Sequence, residues 1–150
     1  MTATQHSVAA RDAKRRHAEA LGIDDAFIAR MIERFYEKVR RDDVLGPIFA
    51  AHVIEWTPHL VQMNRFWRSV LFSSGEFVGS PMLKHLVIPD LGRADFARWL
   101  RLLEETLSEI GTEAARAHVI DRARNIANSL LAAAIVHQGD GLGPSKTDTL

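Results

Sequence analysis

The chain has 150 residues, 47% of them hydrophobic and 25% charged, and its 19 basic and 19 acidic side chains leave a formal net charge of zero. That is the size and make-up of one globular domain with its own core. Neutrality gives no global field to draw in nucleic acid or anionic lipid, so neither is expected as a partner. With no cysteine, disulfides, thiolate catalysis, zinc–cysteine sites, iron–sulfur clusters and cysteine-ligated metals are excluded. The longest apolar run, Leu130 to Val136, is too short to span a bilayer, and Met1 to Arg16 lacks the apolar centre of a secretory signal. A soluble, cytoplasmic protein with no membrane partner is expected.

Residues 1–23 read as a polar N-terminal extension. Within it, Ala13 to Leu21 can form a helix with little to bury. Asp24 or Asp25 can then cap a helix bearing Phe27, Ile28, Met31, Ile32, Phe35, Tyr36 and Val39, spaced by three and four as one helical face requires. Gly46-Pro47 is expected to break that helix, leaving Ile48-Phe49 as a short apolar link. A second helix starts near Thr57-Pro58 and carries His59, Met63, Phe66, Trp67 and Val70. Ser73-Ser74-Gly75 stops it. Gly79-Ser80-Pro81 opens a short helix ending near His85. A third long helix runs from about Ala94 to Ile110 with Phe96, Trp99, Leu100, Leu103 and Leu107 on its apolar face. Gly111-Thr112 ends it and caps a last helix, about Glu113 to His137. Residues 138–150, rich in glycine, read as a disordered tail. No strand-like alternation persists, so the expected fold is all-α, with a working domain over residues 24–137.

Most chemistry written in short motifs is missing. There is no Glu-x-x-His pair for a di-iron carboxylate site, no His-Glu-x-x-His, no Gly-x-Ser-x-Gly elbow and no phosphate-binding glycine loop. Glu55 and His59 stand one helical turn apart, a weak metal signal. What stands out is Lys84-His85-Leu86-Val87-Ile88-Pro89, followed by Phe96-Ala97-Arg98-Trp99. One imidazole among bulky apolar neighbours suits a metal whose remaining ligands come from a cofactor, and haem iron is the usual such metal. The same histidine also reads as a cap favoured by a helix C-terminus. Tyr36, the only tyrosine, and Trp99 fall on inward helix faces, where each polar tip needs a partner. His59 reads equally as a pocket residue or an exposed bystander.

Phe35-Tyr36-Glu37-Lys38-Val39, Leu45-Gly46-Pro47-Ile48-Phe49, Phe66-Trp67, Lys84-His85-Leu86 and Phe96-Ala97-Arg98-Trp99-Leu100 together resemble the signature blocks of truncated haemoglobins. In detail they are similar to the third group, which, like this chain, does without the Gly-Gly pairs typical of the other two. The resemblance spans roughly Asp24 to His137. It implies a two-over-two helical sandwich enclosing haem b. His85 matches the proximal iron ligand, Tyr36 the distal tyrosine that hydrogen-bonds bound ligand, Trp99 the distal tryptophan and Phe49 the phenylalanine packed on haem. His59 matches a distal-gate position, and Met63 a distal position that is commonly aliphatic. Any of Lys84, Arg93 and Arg98 can pair with haem propionates, although exposed pairs of this kind contribute little.

The resemblance also implies binding of dioxygen, nitric oxide or other diatomic ligands at a pentacoordinate or weakly hexacoordinate iron. Distal donors from Tyr36, Trp99 and His59 hold a ligand that carries partial negative charge, each worth on the order of 1 kcal/mol. Tight holding suits redox or detoxification chemistry, such as nitric oxide dioxygenation or peroxide turnover, better than oxygen transport. Such turnover needs a reductase partner, because the chain has no flavin or nicotinamide motif. No residue is assigned as catalytic. The alternatives are a haem-based sensor or ligand store acting through a partner, and a cofactor-free helical interaction module.

Overall fold

A computed structural model describes residues 3–75 and 91–137. Within them the chain forms six helices and no strand: α1 (Ala3–Ala20), α2 (Asp25–Arg41), α3 (Leu45–His52), α4 (Trp56–Phe72), α5 (Arg93–Ile110) and α6 (Glu113–His137). The short helix expected to end near His85 and the tail over residues 138–150 lie outside the described residues.

Helix α2 organises the molecule. The Asp24 carboxylate accepts a 2.8 Å hydrogen bond from the Phe27 N–H and so caps the first turn. Asp25 in the first turn and Lys38, Arg40 and Arg41 in the last complement the helix dipole. All seven apolar residues expected on its inward face are buried. That face packs on α3, α4 and α5, while α5 packs on α6. The result is one pair of helices, α2 with α4, set against another, α5 with α6.

The elbow between α2 and α3 departs from expectation. The first long helix already ends at Arg41, ahead of Gly46-Pro47, and the dipeptide sits in the first turn of α3, which also takes in Ile48-Phe49. A proline there loses nothing, because the first N–H groups of a helix have no intrahelical partner. The glycine is required for another reason. A Cβ at Gly46 would stand 2.8 Å from the Arg40 carbonyl oxygen, closer than atoms pack. The Asp42 side chain, only 8% exposed, accepts hydrogen bonds from the N–H groups of Val44 and Leu45 at 3.1 and 2.9 Å and from Arg98 Nε at 2.7 Å. One carboxylate thus caps α3 and ties the elbow to α5.

Helix α1 is longer than the stretch expected for it and has more to bury. Ala18 and, just past the helix, Ile23 are fully buried, and α1 packs on α4. Lys14 Nζ donates to Ser73 Oγ at 2.9 Å. The Arg15 guanidinium covers the Phe72 ring at 4.6 Å while its NH2 reaches Asp25 at 2.8 Å. Helix α4 starts at Trp56, one residue before the expected Thr57, and ends at Ser73 in the left-handed conformation, φ 55°. The α5–α6 turn is as read: Gly111 closes α5, and the Thr112 hydroxyl accepts from the Ala115 N–H at 3.1 Å. Gly111 also lets Phe27 approach, since a Cβ would meet its ring at 2.9 Å.

Candidate functional site

Between the two helix pairs lies an apolar cavity lined by Tyr36 from α2, Phe49 from α3, His59, Met63, Phe66 and Trp67 from α4, Leu91 ahead of α5, Phe96 and Trp99 from α5, and Leu130 from α6. Its free volume is only about 40 Å³, well below that of a cofactor-sized pocket, so its lining rather than its size marks it as a site, and a flat cofactor would enter it only as these side chains draw apart. Five residues singled out in the sequence, Tyr36, Phe49, His59, Met63 and Trp99, come from four different helices to this one wall. Phe66 and Trp67, read mainly as core, also face it. His85 and Lys84 lie outside the described residues.

The wall is a chain of ring contacts. Phe35 meets Trp99 edge-on at 5.4 Å and Tyr36 at 4.9 Å. Tyr36 in turn meets Phe49 at 6.1 Å and His59 at 5.2 Å, and Trp56 closes a triangle, 5.8 Å from Tyr36 and 5.5 Å from His59. Edge-to-face contacts of this kind add roughly 0.5–1.5 kcal/mol each beyond the area they bury. They fix the orientation of the polar tips as well as filling the core.

Those polar tips carry the site's chemistry. Tyr36 is buried, and burial pushes its phenol pKa up, far above neutrality. It therefore stays protonated and can donate a hydrogen bond. Burial pulls the His59 imidazole below its ordinary value, which favours the neutral ring. His59 Nε2 is buried and, among the described residues, is the one side-chain nitrogen or oxygen so buried that has no hydrogen-bond partner. Leaving such an atom unpaired costs about 1–3 kcal/mol. Apolar walls, a phenol donor, and an orphaned imidazole nitrogen together fit a flat apolar cofactor that carries a small polar ligand on one face. The wider depression between the start of α2 and the α5–α6 turn, lined by Phe27, Arg30, Gly111 and others, holds no such orphaned atom.

Trp56, Leu91 and Leu130 were missed as site residues. Trp56 directly precedes Thr57-Pro58, where the helix is expected to begin, and it belongs to no motif. Arg98, one of three candidates for pairing with haem propionates, has its Nε bound to Asp42 at 2.7 Å, so it anchors the α2–α3 elbow. On α5, the partly exposed Glu104 and Glu109 hold neighbouring helices: Glu104 pairs with Arg116 at 2.8 Å and Glu109 with Lys38 at 2.6 Å.

No protein-family model matches the chain. Among curated proteins, the group 3 truncated hemoglobin of Campylobacter jejuni is 37% identical over 110 residues, covering 71% of this chain and 87% of that protein. Among solved structures, the crystal structure of a group III truncated hemoglobin from Campylobacter jejuni superposes with a TM-score of 0.65 at 36% identity, covering 73% of this chain and 89% of the other.

Proposed function

The chain belongs to the group III truncated haemoglobins, and from that premise we propose that its cavity seats a haem of the b type for redox or detoxification chemistry on small diatomic ligands. The family implies a haem cofactor, and globins bind diatomic ligands such as dioxygen. In the proposal, residues 24–137 form the globin domain and His85 ligates the iron from the proximal side. Phe49 and Met63 pack on the macrocycle. Haem supplies a metal centre that binds diatomic gases and exchanges electrons.

The observation that carries the reading is the orphaned His59 Nε2 beside the buried Tyr36 phenol, in a cavity otherwise walled by aromatic and aliphatic side chains. Tyr36 remains a donor at every physiological pH because burial forbids its charged form. Neutral His59 offers either a donor or an acceptor at Nε2, depending on its tautomer. The Trp99 indole offers only a donor. Phe35, wedged between Trp99 and Tyr36, keeps both rings in place. A ligand that gains negative charge on binding is held by such donors, and slow release suits turnover of the ligand better than its delivery. Nitric oxide dioxygenation and peroxide turnover are the reactions proposed, with electrons from a separate reductase.

The test is the oxygen dissociation rate of the haem-loaded chain. Tyr36→Phe and Trp99→Phe are each expected to speed dissociation roughly five- to tenfold, the equivalent of about 1 kcal/mol per lost hydrogen bond. Rates equal to wild type in both variants would remove the donor argument.

A further inference from the structure

We infer that diatomic ligands reach the cavity through a surface groove between α2 and α4, and that Trp56, held by Arg40, sets how freely they pass. This rests on the cavity being the ligand chamber proposed above. The groove is lined by Glu33, Glu37, Arg40, Trp56 and Leu60, together with Tyr36. Tyr36 also lines the cavity, and among the described residues it is the one shared by both linings. The partition between groove and cavity is therefore about one side chain thick.

That partition is the triangle of rings already described, Tyr36, Trp56 and His59, all between 5.2 and 5.8 Å apart. Its three members meet through their side-chain rings, so rotation of those side chains can open it. The opposite walls differ: Phe66, Trp67 and Phe96 are at most 3% exposed and sit within packed helices. Trp56 is the part of the partition freest to move. It is half-buried, it is the first residue of α4, and Glu55 before it makes no side-chain capping bond. What holds it from outside is the Arg40 guanidinium, 4.8 Å over its ring. Arg40 is itself exposed, and a cation–π contact at an exposed site is weak. The latch is thus strong enough to favour closure and weak enough to open often. A gap made by one indole turning admits an uncharged molecule of two atoms and screens out bulky ones. Neither Arg40 nor Trp56 would touch the reacting atoms; both are positioning residues that control access.

The experiment measures carbon monoxide association after photolysis of the ferrous, haem-loaded chain. Arg40→Ala is expected to raise the bimolecular rate several-fold, Trp56→Ala tenfold or more, and Trp56→Phe by an intermediate amount, with the absorbance spectrum of each variant unchanged. A second readout needs no haem: solvent exchange of the Trp56 indole N–H, followed by NMR, is expected to speed up in Arg40→Ala. Association rates equal to wild type in Arg40→Ala and in both Trp56 variants, with normal spectra, overturn the proposal and put the route elsewhere. A wild-type chain that takes up no haem overturns the proposed function and this inference together. That failure is distinguishable because it shows in the spectrum before any rate is measured.

Discussion

Two polar groups shielded from solvent, the Asp42 carboxylate and the His59 Nε2, are treated by this fold in opposite ways. The Asp42 carboxylate is surrounded: two backbone N–H groups and Arg98 Nε donate to it, and Arg98 beside it holds its pKa below the ordinary carboxylate value. The His59 Nε2 has no such partner among the described residues. A satisfied buried charge explains itself by what it holds together, here an elbow and a distant helix. An unsatisfied buried nitrogen costs stability and marks a place where a polar group can be bound. The contrast separates the scaffold of this molecule from its site.

The comparison can be broken at the scaffold first. Asp42→Ala removes three hydrogen bonds and leaves Arg98 without its partner, so a loss of about 3 kcal/mol is expected in denaturant unfolding; a loss below 1 kcal/mol would mean the elbow is held otherwise. Gly46→Ala pushes a methyl group to within 2.8 Å of the Arg40 carbonyl. It is expected to cost about 1–3 kcal/mol by the same measurement, and an unchanged midpoint would show that the α2–α3 elbow relaxes freely.

The smallest effects sharpen the other side of the comparison. Burial holds the folded-state pKa of His59 below its ordinary 6.5, so the folded protein resists protonating it. The stability tied to this group is present above pH 6.5 and is lost as pH falls below that value. The haem-free chain should therefore weaken first in that window. It should weaken again below pH 3.8, the ordinary value from which Asp42 is lowered, as Asp42 takes up its proton. His59→Leu should remove part of the first step and stabilise the haem-free chain by about 1 kcal/mol at pH 5. A smaller step remains from His118, whose pKa burial also lowers. Stability that does not change from pH 7 to 5 in wild type would contradict the burial of His59.

Much of this architecture is legible in the sequence wherever the signal is local. The spacing of Phe27, Ile28, Met31, Ile32, Phe35, Tyr36 and Val39, with an aspartate just before them, defines the start and the inward face of α2. Gly111-Thr112 marks the α5–α6 turn for the same reason: a helix stop and an N-cap are properties of neighbouring residues. Gly46-Pro47 misleads because the same dipeptide that ends helices also fits the first turn of one, and only the packing against Arg40 decides which. Helix α1 hides because its few buried side chains, such as Ala18, are small, and it is held by polar contacts to Ser73 and Asp25. The partnership of Asp42 with Arg98 spans 56 residues and has no sequence signature, which is why Arg98 was open to assignment at the propionates. Tyr36, Phe49 and Trp99 stand in the family blocks and His59 and Met63 at single positions the resemblance matches, and the convergence of all five on one cavity is a property of the helix packing. Trp56 belongs to no block, and its place between Arg40 and His59 emerges only in three dimensions.

The most direct test of the account is one absorbance spectrum of the purified chain titrated with haem, beside His85→Ala. The account predicts a saturable haem band at one equivalent in wild type, and its loss or a marked weakening in the variant. A wild-type chain that stays colourless after haem addition, or a variant with an unaltered band, would contradict it.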